Sequence, residues 1–97
     1  MDVSFNKKCE KLYKAILKLK TVEDCGKFFE DICTIKEILD MTQRLEVAEL
    51  LTAGKNYQEV CKETGASTAT ISRVSKCLNY GAGGYSLVIN KKVKNNG

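Results

Sequence analysis

Residues 56–78 read Asn-Tyr-Gln-Glu-Val-Cys-Lys-Glu-Thr-Gly-Ala-Ser-Thr-Ala-Thr-Ile-Ser-Arg-Val-Ser-Lys-Cys-Leu. Two short amphipathic segments meet at Gly65. With Tyr57 as the first position, Val60, Ile71 and Val74 fall where two crossing helices bury apolar groups against each other. Cys61 is small where the helices cross closely, and Gly65 takes the sharp turn, which needs a positive φ. Ala66 packs directly after it; only Thr64 is more polar than this scheme prefers. Asn56 and Glu59 form a capping box that opens the first helix, and Ser67 caps the second. The pattern is a helix-turn-helix over residues 55–79.

On the second helix Ile71, Val74 and Leu78 define the inner face, so Thr68, Ala69 and Ser72 point outward near its N-terminal end. That end is where a recognition helix meets base edges. Hydroxyls donate or accept, and the methyls of Thr68 and Ala69 suit thymine methyl groups. No side chain on this face is a bidentate reader, so readout leans on bridging water and DNA shape. Gln58 on the first helix adds one polar contact. Lys55, Thr70, Arg73 and Lys76 are candidates for phosphate contacts, which position without reading sequence. The N–H groups opening the helix capped by Ser67 offer a further phosphate seat.

Charge supports that reading. Residues 1–54 hold nine Lys/Arg and ten Asp/Glu, a net −1, whereas residues 55–97 hold seven and two, a net +5. The positive excess lies on the half with the helix-turn-helix and favours encounter with polyanions. Lys91, Lys92 and Lys94 form a basic tail within it.

The remaining chain is helical in pattern, without proline. Phe5, Cys9, Leu12, Tyr13, Ile16, Leu17 and Leu19 mark a first amphipathic helix. Thr21 with Asp24 caps a second, whose apolar face is Val22, Cys25, Phe28, Phe29 and Ile32. Thr34-Ile35-Lys36-Glu37 is a capping box for a third, with Ile35, Ile38 and Leu39 on its apolar side. Thr42 is read as the start of a new turn, and Leu45, Val47, Ala48, Leu50 and Leu51 then run to a stop at Gly54. Gly81, Gly83 and Gly84 interrupt before a short helical Tyr85–Ile89 segment, and are read as a hinge that lets it pack across a partner. The expected fold is all-α, about six short helices in a single domain over 1–97. Residues 1–54 supply dimerisation helices, and residues 80–97 a C-terminal segment with its basic tail.

On a helical wheel Leu45 to Leu51 spread apolar groups over roughly 220°, against the about 100° stripe of a surface helix. Such a helix needs cover on more than one side. In a 97-residue chain a second copy is the natural cover, the alternative being the central helix of a monomeric six-helix domain; a two-fold dimer reads half-sites about 34 Å apart.

Several function classes drop out. No run approaches ~18 consecutive apolar residues, and Met1–Lys8 lacks the apolar core of a signal peptide. The expectation is a cytoplasmic protein without a membrane partner. Five cysteines (Cys9, Cys25, Cys33, Cys61, Cys77), with no Cys-x-x-Cys pair and no histidine, argue against zinc and are read as buried, reduced apolar fillers. No histidine base, nucleophile motif or phosphate loop supports an enzyme. Single-strand RNA readers stack bases on exposed aromatics, and Tyr13, Tyr57, Tyr80 and Tyr85 do not cluster; Tyr57 and Tyr80 are read as bracing helix ends. The competing reading is a helical protein–protein interaction module without DNA binding.

Gly65-Ala66 followed by Ala69-Thr70-Ile71-Ser72-Arg73 resembles the helix-turn-helix of the Trp repressor. The fuller stretch from Gln43-Arg44-Leu45-Glu46-Val47-Ala48 to Cys77-Leu78-Asn79-Tyr80-Gly81-Ala82 more closely resembles the YerC/YecD-type branch of that superfamily, over roughly residues 30–90. The resemblance implies an all-helical intertwined homodimer with two DNA-reading heads, working as a bacterial transcriptional regulator and repressor on double-stranded DNA. In the Trp repressor the corepressor's indole lies between two arginines, in a pocket that also uses a glycine and a serine. Arg73 matches one arginine, while Val74 stands for the glycine and Cys77 for the serine. Ungapped alignment places Gln43 at the other arginine, with Arg44 adjacent. Valine intrudes on a planar ring, and cysteine is a poor acceptor for an ammonium group. The expectation is that tryptophan does not bind in the same way; any other small-molecule effector is left open.

Overall fold

The structure, a computed structural model, describes residues 3–89. Its regular elements are all helices, as the apolar spacing predicts: α1 (Val3–Ile16), α2 (Val22–Ile32), α3 (Ile35–Thr52), α4 (Tyr57–Thr64), α5 (Thr68–Tyr80) and α6 (Gly84–Val88). Lys91, Lys92 and Lys94 lie outside the described residues. The chain forms two compact units, Met1–Ile38 and Leu39–Gly97.

In the first unit, Lys14 Nζ lies 2.8 Å from Glu10 Oε2, one turn earlier on α1. Thr21 caps α2: its Oγ1 accepts the Asp24 N–H at 3.0 Å, while Glu23 and Asp24 set negative charge against the positive helix end. Phe28 and Phe29 meet edge to face at 5.5 Å. The Thr34 capping box forms as expected. Thr34 Oγ1 accepts the Glu37 N–H at 3.1 Å, and Glu37 Oε1 accepts the Thr34 N–H at 2.8 Å. An interior is missing: none of the described residues with an assigned exposure in this unit is buried. Leu17, Val22 and Ile35 are 82%, 90% and 74% exposed.

The second unit has a core. Val47 and Ala48 of α3, Val60 of α4, Ala66 of the turn, Ile71 and Val74 of α5 and Ile89 after α6 are buried together. Leu50, Leu51, Leu78 and Tyr85 pack around them. Most of the wide apolar arc on α3 is therefore covered by the chain's own head, with Leu45 still exposed. At its C-terminal end α3 closes with Gly54 at φ +96°, the Gly54 and Lys55 N–H groups donating to Leu51 and Leu50 carbonyls.

Three expectations need correction. Thr42 lies inside an unbroken α3 of 18 residues. Leu39, Met41, Gln43, Arg44 and Leu45 have high helix propensity, and no glycine or proline interrupts them. No cysteine is buried; Cys9 and Cys33 are half-buried and Cys25, Cys61 and Cys77 exposed, all as free thiols. Cys9 and Cys25 stand on apolar faces of a unit in which no described residue with an assigned exposure is buried. Tyr80 is 84% exposed and braces nothing, because α5 has turned its last ring away from the row of Ile71, Val74 and Leu78.

Ile71 is fully buried at the centre of this cluster. Ile71→Ala should cost about 2–5 kcal/mol, read as a lowered urea midpoint with an unchanged slope.

Candidate nucleic-acid interface

The site starts from how α4 begins and ends. Asn56 Oδ1 accepts the Glu59 N–H at 2.9 Å, and Glu59 Oε1 accepts the Asn56 N–H at the same distance, fixing the first turn. Eight residues later Gly65 turns left-handed at φ +75°.

Thr64, the one residue that looked out of place, organises that turn. Its hydroxyl donates to the Val60 carbonyl at 2.7 Å and accepts the Ala66 N–H at 3.1 Å. Its carbonyl accepts from Gln43 Nε2 on α3 at 3.2 Å. The turn thus buries Ala66 with its N–H, the Gly65 N–H and the Thr64 carbonyl all partnered. Sequence reasoning marked Thr64 as a misfit because it scored polarity and did not count the groups a helix end leaves unpaired.

α5 follows at once. Ser67 Oγ accepts the Thr70 N–H at 3.1 Å, capping the helix, and Ser67 and Thr70 hydroxyls are also 3.1 Å apart. In that second contact the Ser67 hydroxyl donates and Thr70 Oγ1 accepts. Ile71 and Val74 face the core, which leaves two outward rows at i, i+4 spacing. One row is Thr68, Ser72 and Lys76; the other is Ala69, Arg73 and Cys77, all exposed. Ser67 is exposed before them and Thr70 is half-buried between them.

Electrostatics favour α5 over α4. No Asp or Glu occurs on α5, and Arg73 and Lys76 have no ion-pair partner among the described residues. Lys55 differs: its Nζ lies 3.6 Å from Glu63 Oε2, so part of its field is met within the chain. Gln58 is exposed on α4. Lys62, absent from the sequence-derived candidates, is exposed one turn after it. The i, i+4 spacing from Gln58 was the signal for it.

The four ligand candidates do not assemble in the same way. Cys77 lines an apolar cavity of about 420 Å³ with Leu45, Gly81, Tyr85 and Val88 among its walls; Gln43, Arg44 and Arg73 are not among them. Gln43 is engaged with Thr64, Arg44 is half-buried and Arg73 is exposed. Val74 is buried in the core, so its methyls fill space inside the head.

The Trp repressor protein family model matches residues 7–93. Uncharacterized protein YerC of Bacillus subtilis is 51% identical over 91 residues, covering 94% of this chain and 88% of YerC. Two crystal structures superpose well. A TrpR-like protein from Eubacterium eligens gives a TM-score of 0.81 at 51% identity, with 84% of each chain covered. A protein from Staphylococcus aureus, described as a candidate Trp repressor, gives 0.84 at 38% identity, with 99% of this chain and 95% of that one covered. The chain belongs to the Trp repressor protein family, whose members are helix-turn-helix regulators and not enzymes.

Arg73→Ala should weaken binding to every DNA sequence and lower the slope of log K against log salt by about one unit per head. Lys55→Ala should change the slope less, because Glu63 already competes for that charge. Fluorescence anisotropy on one duplex at several salt concentrations separates the two.

Proposed function

We propose, with membership of the Trp repressor family as the premise, that this protein is a sequence-specific DNA-binding transcriptional regulator. It acts as a repressor, in the cytoplasm, as a homodimer on an operator of two half-sites. The observation that carries the reading is the outward surface of α5: acid-free, small and polar at its N-terminal end, cationic at Arg73 and Lys76. A surface of that shape enters a major groove without a bulky side chain in the way. In this reading Thr68, Ala69 and Ser72 meet base edges. Arg73, Lys76, Thr70 and the first-turn N–H groups hold phosphates, with Gln58 and Lys62 approaching from α4.

The dimer is supported by what the first unit leaves uncovered. Leu17, Val22, Ile32 and Ile35 are all more than half exposed in the single chain. A run of amphipathic helices without an interior is a surface awaiting cover. A second copy supplies it, so residues 1–54 take the dimerising role and α4–α5 project as the head. Tryptophan is not the corepressor in this reading, since Val74 fills the space beside α5 and Cys77 cannot hold an ammonium group.

Selection from a random duplex pool should return a two-fold symmetric consensus with half-sites about 34 Å apart, and sedimentation should give twice the chain mass. A pool that returns no consensus, with salt-independent retention of DNA, would refute the DNA reading and favour the protein-interaction module. Isothermal titration with L-tryptophan should show no micromolar binding.

A further inference from the structure

Resting on that reading, we propose that Gln43 is a positioning residue for DNA recognition, latching the helix-turn-helix head to α3 through the Thr64 carbonyl. The contact spans 21 positions of sequence and joins two helices, at 3.2 Å and partly buried. Gln43 stands one helical turn before Val47, so the latch lies beside the apolar contact that α3 makes with the head.

The two contacts do different work. Val47 and Ala48 meet Val60, Ile71 and Val74 through apolar packing, which has no preferred direction and tolerates sliding. A hydrogen bond is directional and sets register. Thr64 O belongs to the last residue of α4, where helix carbonyls lack partners within the helix. The Cys61 carbonyl is taken by the Gly65 N–H, and the Val60 carbonyl receives the Thr64 hydroxyl. The Thr64 carbonyl is satisfied from outside, by Gln43.

What is held there matters for reading. Thr64 and Gly65 stand just ahead of Ser67, the cap of α5, and the Ala66 N–H is bonded to the same threonine. Movement of α4's end on α3 is therefore passed to the start of the recognition helix, where Thr68, Ala69 and Ser72 lie. Base contacts need tight placement; phosphate contacts tolerate more. Loss of the latch should reduce discrimination between sequences more than total affinity.

Full-length Gln43→Met, of similar length but without a donor, tests this against Gln43→Arg, which retains one. The readout is the ratio of affinities for pool-selected duplex and a scrambled duplex of equal length, in which a change of net charge cancels. Gln43→Met should lower the ratio three- to tenfold, the range for one lost neutral hydrogen bond. Its affinity for the scrambled duplex should be unchanged, and amide exchange at Gly65 and Ala66 should quicken. Gln43→Arg should keep the ratio within about twofold of wild type. Enrichment by the wild type with an unchanged ratio in Gln43→Met overturns the role of Gln43 alone. A wild type that enriches no sequence overturns the DNA reading, and this role with it.

Discussion

The turn after α4 is the constraint on which the head depends. Two helices can share the core of Val60, Ile71 and Val74 only if the chain reverses within three residues, and Gly65 at φ +75° permits that. Reversal alone would leave α4's last carbonyls and the Ala66 N–H short of partners beside an apolar core. Thr64 removes that cost with one hydroxyl and one carbonyl, the second reaching Gln43 on α3. An apolar residue at 64 would pack more comfortably and leave Ala66 N–H unpaired, a penalty of about 1–3 kcal/mol. Polarity at this position follows from the turn.

Much of this was legible from residue types because helix ends write themselves in short range. Asn56 with Glu59, Thr34 with Glu37, Thr21 with Asp24 and Ser67 before Thr70 each close a hydrogen bond over three residues, which spacing alone predicts. The inner face of α5 was legible for the same reason. Illegible were relations over longer range. The contact between Gln43 and Thr64 has no signature in spacing, and the polarity of Thr64, though out of pattern, does not name its partner. Lys55 reads as a free cation until Glu63, eight positions on, is found beside it. Thr42 was misread because a cap residue in mid-helix is told from a true start only by what flanks it. The cysteines were misplaced because the average burial of the residue type was applied without regard to what covers each face.

The two units of the chain answer the demands of size differently. The second gathers seven buried residues from three helices, the turn and the position after α6, enough to hold α4 and α5 against one another. The first places phenylalanines and leucines on helices without burying any of them. Small chains bury a low fraction of their surface in any case, but a unit with Val22 at 90% exposure is not limited by size. Its apolar faces are laid out at helical spacing, with well-formed caps and an i, i+4 ion pair on the polar side. That combination is what an element that gains its interior by association requires.

Position 74 shows how recognition and control separate within one helix. A side chain there is buried while its neighbour Arg73 is exposed, because consecutive helical residues differ by about 100°. Filling position 74 with valine adds apolar contact to the head, roughly 0.8 kcal/mol per methylene-sized group. The same volume is lost to any planar ligand that would press against α5. Val74 and the bond from Gln43 to Thr64 both hold the head through contacts within the chain. The two features lie on opposite sides of the turn, one apolar and one polar. Together they hold α5 through the chain's own contacts, with Arg73 left exposed.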